Sequence, residues 1–283
     1  MYMYIIIFIL ISVIIFILYY TLLKKNVDLK IDTVPNMYFM SHDETSEYLE
    51  VDNDNYVKNL TPLDLYARKA KDHREYIENI KCTAISFTED EKQLLIKCAK
   101  NADVFFKTNS LNDLKYSKYL NGNDIANIRW VFAYTFKNNK KEYEEGLPHT
   151  RENIIFLSKY VMKYDEFNLT NTLIHEKIHI YQRYNNELFR SIISYMNYKI
   201  LDINKQPYKK NIRSNPDTDG NVYYDINTHK EMVCLYRSDK PNSINDIIMN
   251  NFALEHPYEK IAYDIADCYY KANLKYTEKY ITL

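Results

Sequence analysis

The order of apolar and polar positions divides the chain into three regions. Residues 1–25 are almost entirely apolar. Residues 26–60 are polar and acidic, with the stretch "SHDETSEYLEVDNDNY" and no sustained period, and they predict a stalk or a loosely packed lead-in. From Thr61 onwards, apolar positions recur with helix and strand periods. This pattern predicts one folded domain over residues 61–283, and its length of about 220 residues is within the usual range for a single domain.

The apolar N-terminal region predicts a transmembrane anchor over residues 1–25. It carries no charge before Lys24, and about 20 apolar residues suffice to cross a bilayer. A cleaved signal peptide is the alternative, but a basic start and small residues at a cleavage site are missing. Lys24 and Lys25 follow the apolar run and favour a cytoplasmic side for the remainder, although two lysines leave the orientation open. The expected location is therefore a single-pass membrane protein.

Two helix starts can be recognised from their capping residues. Thr61 precedes Pro62 and stands three residues before Asp64, and Thr88 stands three residues before Glu91. A Thr with an acidic residue three positions later is typical of a capping box, and Pro suits the first helical turn. The helices that follow, "LYARKAKDHREYIENI" and "EDEKQLLIKCAKNADVFF", supply apolar residues for a core.

Strand patterns appear after residue 127. The stretches "IRWVFAYTF" and "NIIFLS" are rich in β-branched and aromatic residues and predict two strands, separated by the polar run "KNNKKEYEEG". Residues 204–245 contain the turn signals "QPY", "SNPDTDGN" and "DKPNS", with one short strand predicted at "NVYYDI". The predicted fold class is α+β, mainly helical, with a small sheet.

Composition removes several classes of function. A net charge of −1 argues against a nucleic-acid-binding surface, and only 3 Gly in the chain argue against a Gly-rich phosphate loop. The four cysteines are scattered without a Cys-x-x-Cys pair, which favours a reducing compartment over a disulfide framework. The abundance of Tyr, Ile, Asn and Lys is typical of AT-rich genomes such as those of large DNA viruses, which suggests a host or virion membrane.

The most informative stretch is "NTLIHEKIHIYQRY", where His175, Glu176 and His179 follow the order His-Glu-x-x-His. On a helix, residues four apart share a face, so both imidazoles can reach one Zn²⁺ ion. Glu176 is then placed to take a proton from a water molecule rather than to bind the ion. The alternative is a polar surface pair. Four flanking apolar residues favour a buried helix, where unpaired imidazoles are costly: Leu173, Ile174, Ile178 and Ile180.

A zinc site requires a third protein ligand, and a catalytic site leaves the fourth position to water. The downstream candidates are His229, Glu231, Glu255, His256 and Glu259. We favour Glu259, because Pro257 suits a helix start and Glu259 shares a face with two alanines, Ala262 and Ala266, that permit close helix contact. The alternative is that Glu259 only stabilises the helix N-terminus.

Together, "HEKIHIYQ" and, about 80 residues later, "HPYEKIA" resemble the zincin group of metallopeptidases, and more narrowly its gluzincin type. The segment "GLPHTRENIIFLS" resembles the one that supplies the edge strand before the metal-binding helix in these proteins. The resemblance covers residues 130–270. It implies a zincin-like domain with a metal-binding active-site helix, with His175, His179 and Glu259 as zinc ligands and Glu176 as general base.

The resemblance also implies a peptide or protein substrate. An extended peptide is expected to pair with the free edge of "NIIFL". His149 either lines this cleft or is a plain loop residue, and we favour the loop. For stabilisation of the oxyanion the chain offers three tyrosines that the sequence does not distinguish: Tyr224, Tyr258 and Tyr263.

Three hypotheses of function follow. The first is a membrane-anchored zinc metallopeptidase that hydrolyses peptide bonds. The second is a non-catalytic zincin-like membrane protein in which zinc has a structural role or the domain binds a partner, for example as a virion component. The third is a structural module without a metal. We favour the first, because burial of the His pair argues for a ligand to both imidazoles.

Overall fold

A computed structural model describes residues 36–108, 111–138, 142–248 and 255–281, with side chains to residue 273. The α-helices in this part of the chain are α1 (His42–Val51), α2 (Pro62–Ala67), α3 (His73–Lys81), α4 (Glu89–Lys107), α5 (Gly122–Asn127), α6 (Glu166–Tyr184), α7 (Asn186–Tyr195) and α8 (Pro257–Ile281). The strands are β1 (Met37–Phe39), β2 (Trp130–Thr135), β3 (His149–Arg151), β4 (Ile154–Ser158), β5 (Tyr198–Leu201), β6 (Val222–Asp225) and β7 (Lys230–Met232).

The larger sheet has the strand order β1-β2-β4-β3. Strands β1, β2 and β4 are parallel, and β3 runs antiparallel to β4 at the edge. Every residue of β2, β3 and β4 is buried. The strands predicted at "IRWVFAYTF" and "NIIFLS" are thus confirmed as β2 and β4. However, β4 pairs on both sides, so the edge strand next to it is β3, and the prediction that "NIIFL" is an edge strand is wrong.

Helices cover both faces of this sheet. One face packs on α1 and α3 through a cluster that includes Leu49, Ile80, Val131, Ala133 and Phe156. On the other face lie α4 and α6, which also contact each other. Helix α8 packs along α6. Side chains on a strand alternate between the two faces of a sheet. A sheet that is covered by helices on both faces therefore requires continuous apolar runs such as those of β2 and β4.

Both predicted capping boxes are present. The Asp64 amide donates to Thr61 Oγ1 at 3.1 Å and the Thr61 amide donates to Asp64 Oδ2 at 2.9 Å. The same reciprocal pair joins Thr88 and Glu91 at the start of α4, at 3.3 and 2.8 Å. These pairs satisfy amides that the first helical turn leaves without a partner, and the helices begin where the sequence places them.

Residues 36–60 differ from the loosely packed lead-in predicted for them. They supply strand β1 and helix α1, and Leu49 and Val57 are completely buried. The acidic character that suggested a stalk has another cause. Asp52 and Asp54 accept hydrogen bonds from the buried guanidinium of Arg151, with Asp52 at 2.6 Å from Nη2 and Asp54 at 2.9 Å from Nε. Polar residues that serve as partners of a distant buried charge cannot be told from solvated ones in a sequence.

The predicted fold class needs one correction. Across residues 36–108, 111–138, 142–248 and 255–281, no helix has the length and apolar character needed to cross a membrane. The transmembrane helix predicted over residues 1–25, and the first part of the lead-in to residue 35, lie outside these residues. The fold class supported by the structure is therefore α+β, with eight α-helices and two small sheets in the part of the chain that it describes. The transmembrane element of the prediction gains no support.

Candidate metal centre

The His-Glu-x-x-His motif lies in the second half of α6. This helix begins at Glu166 and is capped by Asp165, whose carboxylate accepts the Asn168 amide at 2.8 Å. His179 is buried with 1% of its surface exposed, and His175 is partly buried. Helix α8 starts at Pro257 as predicted, which places Glu259 at its third position. Because α8 packs along α6, the two histidines and Glu259 face each other across the contact between these helices.

Three potential ligand atoms form a small triangle. His175 Nε2 lies 3.0 Å from His179 Nε2, and Glu259 Oε2 lies 3.3 Å from the first and 3.7 Å from the second. A tetrahedral ion with ligand distances of about 2.0–2.1 Å holds its ligand atoms about 3.3 Å apart. The triangle therefore fits a single ion of this size, and His175, His179 and Glu259 form a group that could hold a metal. We call these three residues the metal triad.

Further hydrogen bonds fix the orientation of the triad. His179 Nδ1 bonds to Gln182 Oε1 at 2.9 Å, and Gln182 Nε2 donates to the carbonyl of Tyr258 at 2.9 Å. With Nδ1 donating, Nε2 of His179 keeps the lone pair that a metal requires. Asn215 Nδ2 donates to Glu259 Oε1 at 2.8 Å, which leaves Oε2 for the triad. Gln182 thus links both ligand-bearing helices.

The charge states of the triad also suit a cation. Burial lowers the pKa of His179, which favours the neutral imidazole that ligates metals. Burial alone would raise the pKa of Glu259, but the two histidines and the hydrogen bond from Asn215 outweigh it, so the pKa of this carboxyl lies well below its ordinary value. Two imidazoles and one carboxylate are a donor set typical of zinc.

Glu176 lies beside the triad and does not belong to it. Its side chain is 3% exposed, and its Oε2 atom is buried without a hydrogen-bond partner in the described part of the chain. Burial raises the pKa of Glu176 well above its ordinary value, and the carboxylates of Asp217 and Glu259 add to this effect. A buried carboxylate without a donor is costly, so the position is explained if a water molecule or substrate supplies the donor.

A cavity of about 310 Å³ opens at the metal triad. His175, Glu176 and Glu259 line it, together with the tyrosines Tyr164 and Tyr263. The ring of Tyr263 lies 4.4 Å from that of His175. A second cavity of about 420 Å³ includes no residue of the triad. The smaller cavity is therefore the candidate active site.

The remaining candidate ligands do not belong to the triad and have other hydrogen-bond partners, although Glu255 lines the same cavity. His229, in the turn before β7, and Glu231, in β7, are exposed and bond to Tyr224 and Tyr208, respectively. Glu255 accepts a hydrogen bond from Arg213 at 2.6 Å. His256 Nε2 bonds to Asp219 at 2.9 Å, and its Nδ1 accepts the amide of Tyr258.

The tyrosines and His149 can now be distinguished as well. Of the three candidate tyrosines, only Tyr263 lines the cavity; Tyr258 packs on Phe189 and His256, and Tyr224 lies beside His229. His149 is not a loop residue, because it begins β3 and its ring stacks on Phe156 with centroids 5.2 Å apart. It is also one of the residues around the cavity.

Four residues near the triad were not identified from the sequence: Thr150, Arg183, Asn215 and Asp217. Asn215 and Asp217 belong to "SNPD", which reads correctly as a turn and gives no sign of its contacts. Arg183 lies at the end of α6, one helical turn after His179, and this spacing was the only available signal. The contacts of these residues depend on segments far apart in the chain.

We compared the chain with protein-family models, with curated proteins and with solved structures, and none of these comparisons found a match. The resemblance to zincins consequently rests on the motif residues alone. The chemistry of the site has to be inferred from the metal triad, from Glu176 and from the cavity that they line.

Proposed function

We propose that this protein is a zinc-dependent hydrolase that cleaves peptide bonds. The observation that carries the proposal is the metal triad with ligand-atom separations of 3.0, 3.3 and 3.7 Å, next to the buried and unpartnered carboxylate of Glu176. A structural zinc site usually has four protein ligands, whereas three ligands and an open position are typical of catalysis. A bound zinc ion would polarise the substrate carbonyl and make a water molecule more acidic.

Glu176 is the general base in this proposal. Its carboxylate accepts a proton from the water whose oxygen attacks the peptide carbonyl carbon. As the C–N bond breaks, Glu176 returns that proton to the departing amine nitrogen, so the protons balance and the carboxylate is regenerated. The lack of a partner for Oε2 within the described residues suits this role, because no hydrogen bond to that oxygen has to be broken first.

Tyr263 is the residue placed to stabilise the oxyanion. Its ring packs on His175 and lines the cavity, and its hydroxyl forms no hydrogen bond within the described residues. Burial raises the pKa of Tyr263, and the carboxylates of Glu259 and Glu176 raise it further, so the phenol keeps its proton and can donate it in a hydrogen bond. Donors aimed at a developing negative charge stabilise the transition state more than the substrate.

Zinc content tests the metal triad directly. We expect about one zinc per chain in the wild type after dialysis against a weak chelator, measured by elemental mass spectrometry on the full chain. Glu259→Ala should weaken zinc binding by more than about 100-fold, since loss of outer partners alone typically costs 10- to 100-fold. Glu231→Ala, an acidic residue on the second sheet, is the matched control and should retain zinc. Equal zinc in both variants would remove Glu259 from the site.

Tyr263→Phe tests the assignment of the oxyanion donor. The variant keeps the ring on His175 and loses only the hydroxyl. We expect kcat for a quenched-fluorescence peptide substrate to fall about 10²- to 10³-fold, with KM changed only a few-fold and zinc content unchanged. Tyr164→Phe, at another tyrosine around the cavity, should leave kcat close to that of the wild type. A Tyr263→Phe enzyme with an unchanged kcat would exclude this role.

A further inference from the structure

The residues Arg213–Asp217, which we call the 213–217 segment, run past the metal triad and are held at every position. Each residue contacts a different partner elsewhere in the chain. The hydrogen bonds are Arg213 to Glu255 at 2.6 Å, the Ser214 amide to Asp64 at 2.9 Å, Asn215 to Glu259 at 2.8 Å, Arg183 to the Pro216 carbonyl at 2.7 Å and the Thr150 amide to Asp217 at 2.8 Å. The segment is thus fixed to Glu255 and Asp64 at its start, to Glu259 at its middle residue and to the edge strand β3 at its end.

Its contact with β3 involves the backbone groups that an added strand would use. The amide of Thr150 donates to Asp217 Oδ1. The carbonyl of Thr150 accepts Arg183 Nη2 at 2.9 Å, and the carbonyl of Glu152 accepts Arg183 Nη1 at 3.2 Å. Asp217 and Arg183 also pair with each other at 3.3 Å. Side chains of the protein therefore take the hydrogen bonds that a neighbouring strand would make.

Strand geometry explains why these contacts matter. In an antiparallel pair, alternate residues direct both their amide and their carbonyl away from the partner strand. β3 has three residues, and Thr150, its middle residue, has an amide and a carbonyl that bond away from β4. Peptides that bind by strand addition gain much of their affinity from such outward groups. Thr150 is completely buried, so its outward groups are not accessible to a peptide.

The 213–217 segment also limits the space in the two cavities. Ser214 and Asn215 line both the 310 Å³ cavity at the metal triad and the 420 Å³ cavity. The segment therefore forms a wall that the two cavities share. An extended polypeptide following β3 would have to pass through this wall.

We propose that Asp217 of the 213–217 segment, together with Arg183 of α6, takes the hydrogen-bonding positions that a substrate strand would use on β3. The site therefore selects short ligands. Such a ligand inserts one of its own ends into the cavity. The metal triad and the cavity walls hold it there, and its backbone does not pair with the sheet. This inference rests on the proposed function, because it specifies which peptides that active site accepts. It replaces the expectation that an extended peptide pairs with the sheet edge beside the metal.

The test uses two ligands that both bind through the metal and that differ from each other only in length. Alanine hydroxamate and pentaalanine hydroxamate are titrated into the zinc-loaded full-length protein by isothermal titration calorimetry. In the wild type we expect dissociation constants that agree within about threefold, since the additional residues find no backbone partner. In Asp217→Ala, the longer ligand should bind about tenfold more tightly than in the wild type, the gain expected from one or two new backbone hydrogen bonds.

Two further variants complete the design. Arg183→Gln frees the carbonyls of Thr150 and Glu152 and should give the same preference for length, so the test survives if Asp217→Ala does not fold. Asp219→Ala, two residues beyond the segment and bonded to His256, is the matched control and should behave as the wild type.

A wild type that already binds the longer hydroxamate tenfold more tightly, with no change in Asp217→Ala or Arg183→Gln, would overturn the inference. If both hydroxamates bind but no peptide is hydrolysed, the proposed peptidase activity fails, and the length comparison still decides whether the edge is closed. If neither hydroxamate binds the zinc-loaded protein, both proposals fail together.

Discussion

Glu176→Gln should retain zinc and lower kcat for peptide hydrolysis by about 10²- to 10⁴-fold, the usual contribution of a general base. The amide has nearly the same shape as the carboxylate and cannot accept the proton of the attacking water. Zinc binding should be unaffected, because the three ligand atoms of the metal triad belong to other residues. The measurements are zinc content and initial rates on a quenched-fluorescence peptide at saturating zinc.

His179→Ala is the comparison that separates the two roles. It removes a ligand, so zinc and activity should be lost together. Glu176→Gln cleaving as fast as the wild type under saturating zinc would show that the mechanism assigned to Glu176 is wrong. A hydrolytically silent wild type that still binds zinc would instead favour a structural metal in a non-catalytic protein.

Stability provides a second measurement on the same Glu176→Gln variant. In the metal-free protein, the buried carboxylate of Glu176 has no partner for Oε2 and lies near the charges of Asp217 and Glu259. Burial and these two charges raise the pKa of Glu176 and so oppose its ionisation, and a neutral amide does not carry this cost. We expect metal-free Glu176→Gln to unfold at a temperature no lower than the metal-free wild type, which would show that the loss of activity does not come from a damaged fold.

The second large effect is expected at Glu144, in a buried ion-pair network at the wall of the 310 Å³ cavity. The Glu144 carboxylate accepts Arg68 Nε at 2.9 Å and Nη2 at 2.6 Å, and it also accepts the Tyr76 hydroxyl at 2.7 Å. Removing one partner of a buried ion pair typically costs 3–5 kcal/mol. Because Asp64 lies 3.4 Å from Arg68 and remains as a partner, we expect Glu144→Gln to lower the free energy of unfolding by about 3 kcal/mol at pH 7.

This loss should depend on pH. Burial alone would raise the pKa of Glu144, but the charge and hydrogen bonds of Arg68 outweigh it and lower the pKa to about 2 from an ordinary value of 4.5. A carboxyl with a lowered pKa stabilises the fold above its unfolded-state pKa, and this stabilisation is lost as the pH falls from 4.5 towards 2. The difference between wild type and Glu144→Gln in urea unfolding should therefore shrink by ~2 kcal/mol between pH 7 and pH 3.

Glu145→Gln is the matched control for this experiment. Glu145 lies in the same turn and shares its left-handed backbone, with φ of 53° against 44° for Glu144. Burial raises the pKa of Glu145, so its removal should not reproduce the loss of stability in acid. If the free energies of unfolding of the wild type and Glu144→Gln differ by the same amount at pH 7 and pH 3, the ion pair of Arg68 and Glu144 is not the acid-sensitive one.

Local signals in the sequence were sufficient for the helix starts and for the metal triad. The capping boxes at Thr61 and Thr88 formed as predicted, because their hydrogen bonds join residues three apart. The spacing of His175 and His179 placed both imidazoles on one helix face for the same reason. Glu259 was selected from Pro257 and two alanines, and the structure brings its carboxylate to the two histidines.

Long-range contacts decided the rest. The sequence predicted the strands β2 and β4 but not that β4 lies between β2 and β3, since strand order depends on pairing between distant segments. It marked residues 36–60 as polar, although Asp52 and Asp54 neutralise a buried arginine about 100 positions away. The sequence did not distinguish Tyr263 from Tyr224 and Tyr258 as the oxyanion candidate. The packing of Tyr263 against His175 in the folded chain did.

The 213–217 segment illustrates this division most clearly. By itself the sequence determined a turn at "SNPD" and a helix at "HEKIH" with both histidines on one face, because backbone preferences and helix spacing act over a few residues. Only the tertiary structure placed Asp217 on the outward amide of Thr150 and Asn215 on the carboxylate of Glu259. The shape of the cleft beside the metal triad depends on these contacts, and they form only when the chain has folded.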